Sequence, residues 1–142
     1  MALTIGDKAP KIKGHKYEGH KTILFFYPKD NTPGCTAEAC NLRDNYKALQ
    51  KKGFELLGVS VDDEKSHEKF KTKFELPFEL IADTEQKVVN DFEVWVEKSM
   101  YGRKYMGTAR KTFIIDEKGK IEHIIEKVDT KDHANQILAL YK

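Results

Sequence analysis

The chain reads as an α/β protein, a mixed central β-sheet with helices on both faces. Three features predict this. Two continuous apolar runs, Thr22–Tyr27 and Phe54–Val61, suit central strands covered on both sides. Strand-type and helix-type segments alternate from Thr22 to Phe92. A turn signal, Asp116-Glu117-Lys118-Gly119, joins Thr112–Ile115 to Lys120–Glu126 and adds an antiparallel hairpin.

In chain order, the first strand ends at Pro28, and Lys29 to Gly34 form a loop punctuated by Asp-Asn and Thr-Pro-Gly. A helix is expected from about Cys35 to Lys52, stopped by Gly53. The second strand leads to a helix over Glu64–Phe74, with His67, Phe70 and Phe74 on one side. Phe78–Ile81 is a short strand, and Asp83 with Gln86 makes an N-cap pair for a helix carrying Val88, Val89 and Phe92. Val96 to Gly107 reads as a polar, glycine-containing loop, with Trp95 before it expected to pack in the core near the pocket. After the hairpin, Thr130 is expected to cap a last helix that buries Ala134, Ile137, Leu138 and Tyr141.

A length of 142 residues fits one domain over 1–142. A net charge of +2, with acidic and basic residues intermixed, argues against a nucleic-acid or membrane-surface role. No stretch reaches the roughly 18 apolar residues of a membrane span. Met1 to Pro10 lacks the basic-then-apolar order of a signal peptide, so a reducing cytoplasm is the expected location. There, two cysteines five positions apart are better read as reactive than as a structural staple.

Those cysteines carry the chemistry. On a helix starting at Cys35, the positions Cys35, Ala39, Leu42, Tyr46 and Leu49 lie within about 40° of one line. Cys35 therefore sits at the N-terminal end of a face packed on the sheet, where unpaired N–H groups and the helix dipole favour a thiolate. A buried thiol can also be small apolar filler, and the residue type alone leaves that reading open. Cys40 is rotated by about 140° and advanced by about 7.5 Å, towards Arg43, Asp44 and Lys47. A disulfide needs Cα atoms within roughly 7 Å and converging Cβ vectors. A bond between the two sulfurs therefore requires the first turns of the helix to unwind. Zinc would need about four ligands. Only two cysteines are present, and His15 and His20 flank a loop without a paired pattern. No metal site and no cofactor are expected.

The preceding loop supplies Pro28, which can shield a sulfur from water; Thr32, whose hydroxyl can donate and accept; and Gly34, which permits close approach to the backbone. Taken singly, each also suits a loop or a helix cap. Together, Tyr27 to Cys40 (YPKDNTPGCTAEAC) resemble the active-site segment of the peroxiredoxins, with Pro28, Thr32 and Cys35 matching Pro-x-x-x-Thr-x-x-Cys. The second cysteine, five positions on, is similar to the resolving position of the peroxiredoxin Q (bacterioferritin comigratory protein) group. Further likeness falls at Gly6–Pro10, Leu42-Arg43-Asp44, Gly58-Val59-Ser60, Val94-Trp95 and Gly107–Asp116, nearly the whole chain.

This resemblance implies a thioredoxin-like fold, with which the element order is compatible. It also implies a thiol peroxidase acting on hydrogen peroxide and organic hydroperoxides, and a thioredoxin or similar dithiol as reductant. A monomer is expected. It carries the family's active-site arginine onto Arg110, whose permanent charge and several donors suit it to that role. Glu38, one turn after Cys35, is expected to face water rather than to orient Arg110. Relative to the family, the section between Gly6–Pro10 and the first strand is shortened: only Lys11 to Lys21 intervene where a hairpin is usual. Lower stability, or a contact with another chain, is expected from it. A redox sensor using the same disulfide is the rival reading. A general disulfide reductase fits less well, because Cys-x-x-Cys is absent.

Overall fold

A computed structural model describes residues 3–141 of the protein. In chain order the elements begin β1 (Lys21–Phe26), α1 (Pro33–Asp44), α2 (Tyr46–Lys51), β2 (Phe54–Ser60), α3 (Glu64–Phe74) and β3 (Glu79–Ala82). They continue α4 (Lys87–Asp91), β4 (Trp95–Met100), β5 (Arg103–Thr108), β6 (Lys111–Ile115), β7 (Ile121–Ile125) and α5 (His133–Ala139). A five-stranded sheet has the order β3-β2-β1-β6-β7. The β1, β2 and β3 strands run parallel, while β6 pairs antiparallel to both β1 and β7. The apolar run of β1 is thus central, as its composition requires.

Strand alternation divides the core. Ile23, Phe25 and Tyr27 point to one face, where they meet Cys35, Ala39 and Leu42 of α1, Phe70 of α3 and Ala134 and Ile137 of α5. Leu24 and Phe26 point to the other, against Val89 of α4, Phe92, Val94 and the N-terminal residues Ala9, Ile12 and Tyr17. Trp95 packs on this second cluster, a core role as expected, but on the face opposite Cys35.

Several expected elements are corrected. Val96 to Gly107 is not a loop: it belongs to the two-stranded hairpin β4–β5, paired from Trp95↔Thr108 to Met100↔Arg103. Tyr101 and Gly102 make its turn with φ of 53° and 78°, the positive values of a type I′ turn. Most of its side chains face solvent, so no burial alternation marked it as strand. The helix begins at Pro33, two residues before Cys35, and breaks at Asn45, whose side-chain amide donates to the Asn41 carbonyl at 2.8 Å. Thr130 does not cap α5; Asp132 holds that position, without a side-chain capping bond. Asp83 does serve α4, accepting from the Val88 and Val89 amides at 3.1 and 2.8 Å.

The shortened section 11–20 has no helix or strand, yet it covers the sheet. Ile12 and Tyr17 are buried, and the Tyr17 hydroxyl donates to the Pro10 carbonyl at 2.6 Å. Before it, backbone bonds from Gly6 to Ile121 and from Ala9 to Gly119, each 2.8 Å, dock the N-terminal segment at the start of β7.

Candidate active site

Pro33 opens α1 with no N–H to lose, and its fixed φ suits the first helical position. The first intrahelical bond runs from the Thr36 amide to the Thr32 carbonyl at 2.8 Å. The amides of Gly34 and Cys35 are therefore left at the open helix end beside the sulfur. Cys35 is buried at 2% exposure, at the carboxyl end of β1, and Cys40 is half-buried; both are free thiols in a regular helix.

Arg110, in the turn between β5 and β6, reaches this point. Its Nη2 donates to Cys35 Sγ at 3.2 Å and its Nη1 to Glu38 Oε1 at 2.7 Å. Glu38 does not face water. It is fully buried, and the reason was in the spacing: 35, 38, 39 and 42 form an i, i+3, i+4, i+7 set that includes it. Burial pushes its carboxyl up to about 7, against the pull of Arg110. Glu38 Oε2 has no hydrogen-bond partner and lies 3.6 Å from His133 Nε2. Burial holds the His133 imidazole below its usual range. The ring is tied on either side to Thr112 Oγ1 (2.7 Å) and Gln136 Oε1 (2.8 Å).

The loop residues have distinct places. Thr32 is the N-cap residue, but its hydroxyl donates to the Lys29 carbonyl at 2.9 Å rather than capping the helix, so its lone pairs remain to accept. At Gly34, a Cβ would come within 3.1 Å of Arg110 Nη2: the missing side chain makes room for the guanidinium rather than for backbone. Pro28 is half-buried at the end of β1. Lys98 of β4 adds a further cation near this group; burial chiefly, and then Arg110, lower its affinity for a proton, while Cys35 opposes them.

A second polar network fixes the loop itself. Asp30 accepts from the Tyr27 hydroxyl at 2.6 Å and from Ser66 Oγ at 2.8 Å, and its amide donates to Asp62 Oδ2 at 2.8 Å. His67 meets acceptors at both ring nitrogens, Asp30 Oδ2 at 2.7 Å and the Ile81 carbonyl at 2.9 Å. Two acceptors call for two donors, so this ring is an imidazolium. Burial works against its charge, but the bonds to Asp30 and Ile81 outweigh it and raise its affinity for protons. Burial works against the Asp30 charge as well, but hydrogen bonds from His67, Tyr27 and Ser66 hold its carboxyl below the usual carboxylate range. Asp30, Asp62 and His67 are close enough to suggest a metal group, but with both ring nitrogens engaged they form a hydrogen-bonded clamp. Asp30 was missed in the sequence; the only signal was His67 in phase with Phe70 on the buried side of α3.

The AhpC/TSA family model matches residues 3–124. Peroxiredoxin Bcp of Bacillus subtilis is 41% identical across all of this chain and 97% of its own length. Peroxiredoxin Bcp of Escherichia coli is 40% identical across 96% of this chain and 94% of its own. Among solved structures, a cysteine-to-serine mutant of Xylella fastidiosa PrxQ superposes with a TM-score of 0.91 at 29% identity, covering 99% of this chain and 96% of that one. The bacterioferritin comigratory protein of Xanthomonas campestris, described for its alkyl peroxide reduction activity, gives 0.84 at 36% identity over 88% of this chain and 79% of that one. The fold is accordingly thioredoxin-like, and the enzyme class is that of a thiol peroxidase. With the family model matching most of its length and relatives aligning nearly end to end, the chain belongs to the AhpC/TSA family, as a peroxiredoxin of the Bcp or peroxiredoxin Q group.

Proposed function

We propose that Cys35 is the peroxide-reducing nucleophile and Cys40 its resolving partner, acting on hydrogen peroxide and organic hydroperoxides. The observation that carries this is the 3.2 Å donation from Arg110 Nη2 to Cys35 Sγ at the open head of α1, with Cys40 in the same helix. The nucleophile is the thiolate. The directed guanidinium N–H and the free amides of Gly34 and Cys35 favour negative charge on the sulfur.

The thiolate attacks one oxygen of R–O–O–H. The S–O bond forms, the O–O bond breaks, and Cys35 becomes a sulfenic acid while RO⁻ departs and takes up a proton. Arg110 is placed to stabilise that developing charge as well as the sulfur, and Thr32 Oγ1 retains lone pairs to accept the peroxide O–H. Pro28 and Gly34 shape the approach, the first by shielding and the second by admitting Arg110. Cys40 then attacks the sulfenic sulfur, a disulfide forms and water leaves. Thioredoxin or a similar dithiol exchanges the disulfide back. We place the protein as a monomer in the cytoplasm. Among the described residues no helix is long and apolar enough to cross a membrane.

Intact mass and a free-thiol count after one equivalent of peroxide test this. The expected product has no free thiol and is lighter by two hydrogen atoms. Cys35→Ser should consume no peroxide. Cys40→Ser should stop at the sulfenic acid, gaining one oxygen, and fail to turn over with thioredoxin. Two free thiols and an unchanged mass would refute the assignment.

A further inference from the structure

At the amino-terminal ends of β1 and β2, the opposite end of the β1–β2 pair from Cys35, three side chains converge that the peroxidase reaction does not use. His15 and His20 come from the irregular section before β1, and Glu55 from β2, where it pairs in register with Thr22. One nitrogen of each ring and a carboxylate oxygen all lie within 4.8 Å of one another. His20 Nε2 is 2.6 Å from Glu55 Oε2, yet it is buried and makes no aligned hydrogen bond. His15 Nδ1 is 4.0 Å from Glu55 Oε1, and the two rings sit edge to face with centroids 5.7 Å apart.

We propose that His15 Nδ1, His20 Nε2 and the Glu55 carboxylate form a binding site for a divalent transition metal of the zinc type. Two imidazoles and one carboxylate are a donor set such ions accept, with water completing about four positions. Donors around a tetrahedral ion at about 2.0–2.2 Å stand closer together than the present spread, and the partly exposed His20 and Glu55 can swing to close it. His15 is already oriented. Its Nε2 lies 3.2 Å from the hydroxyl of buried Thr22, and a proton donated there leaves the Nδ1 lone pair turned to the other two ligands. Glu79 adds negative charge to the field at His15.

Such an ion would tie the section 11–20 to β2. That section has no ladder of its own, and among the described residues its side-chain anchors to the sheet include the His15–Thr22 contact and the buried Ile12 and Tyr17. Because the ion binds only the folded arrangement, it should raise the unfolding temperature, by an amount that grows with the logarithm of its excess over the dissociation constant.

The test uses Zn²⁺ alone and the full chain carrying Cys35→Ser and Cys40→Ser, so that the thiols cannot bind it. Titration calorimetry at neutral pH should give one saturable ion per chain, and excess Zn²⁺ should raise the thermal midpoint. His20→Gln and Glu55→Gln, both at partly exposed positions, should each weaken binding by more than about 10-fold and abolish the thermal shift, while Thr22→Val should weaken it by about 10-fold through loss of the orienting contact. Absence of saturable binding, or binding of equal affinity in His20→Gln and Glu55→Gln, would overturn the site.

Discussion

Arg110 touches the sulfur and the buried carboxylate with separate nitrogens, so its removal acts on both. Arg110→Ala should slow single-turnover oxidation of Cys35 by about 10²-fold, the usual loss when one directed donor to developing charge is deleted. The fold should survive, because Glu38 is already poised near neutrality and can take up a proton instead of remaining a bare buried charge. Stopped-flow intrinsic fluorescence with peroxide would measure the rate; a change of less than threefold would remove Arg110 from the reaction. Glu38 makes a separate prediction. With its carboxyl pushed up to about 7, the charge that steadies Arg110 appears only as pH rises through that value. The wild-type oxidation rate should show an inflection there that Glu38→Gln lacks, and identical pH profiles would reject the link. The i, i+3, i+4, i+7 set made Glu38 legible as buried, whereas its contact with Arg110 required β6 to lie beside α1.

At the scale of elements, the proposed Cys35–Cys40 disulfide requires α1 to come apart, and yet the helix has firm anchors. Asn41 receives the Ala134 amide at 2.8 Å and donates to the Lys131 carbonyl at 3.0 Å, binding the helix to the start of α5. Arg43 Nη1 donates to the Phe74 carbonyl at the end of α3 at 2.8 Å. Both anchors follow Cys40 directly, so unwinding should run from Pro33 to Cys40 and stop there. Hydrogen exchange followed by mass spectrometry should show residues 33–40 losing protection on oxidation while 41–44 keep it. Unprotected amides through Asp44 would show that the anchors do not hold. Unwinding also releases Glu38 to water, where its carboxyl ionises at its ordinary value, so the opened segment becomes easier to reach as pH rises from 4.5 to about 7 and gains nothing further above that. The break at Asn45 was hidden from the sequence because Tyr46 and Leu49 keep the apolar phase across it, while the Asn45 side-chain amide shares the Asn41 carbonyl with its own backbone N–H, at 2.8 and 3.2 Å.

At the scale of the whole molecule, the buried His67–Asp30 pair joins α3 to the loop before Cys35, and its two pKa shifts set a pH window. His67 is raised above its ordinary 6.5, so its contribution is complete below that value and is lost as pH rises through the raised one. Asp30 is lowered from 3.8, so its contribution is present above that value and is lost as pH falls through the lowered one. His67→Ala should destabilise the fold by about 3–5 kcal/mol at pH 6, because it strands a buried carboxylate. The gap to wild type in urea unfolding should narrow as pH rises above the raised value; a gap independent of pH would rule out the imidazolium. The sequence alone determined the α/β class, the central position of β1, the Cys35–Cys40 pair at a helix head and the family, because apolar runs, helical phase and motif spacing are local properties. Only the tertiary structure decided that β4–β5 is a hairpin, that Glu38 is buried against Arg110, that Asp30 is clamped by His67, and that His15 and His20 meet Glu55. The hairpin is local, but most of its side chains face solvent and leave no apolar alternation; the other three join residues distant in the chain, and a contact made when strands and helices pack leaves no periodic trace in the order of residues.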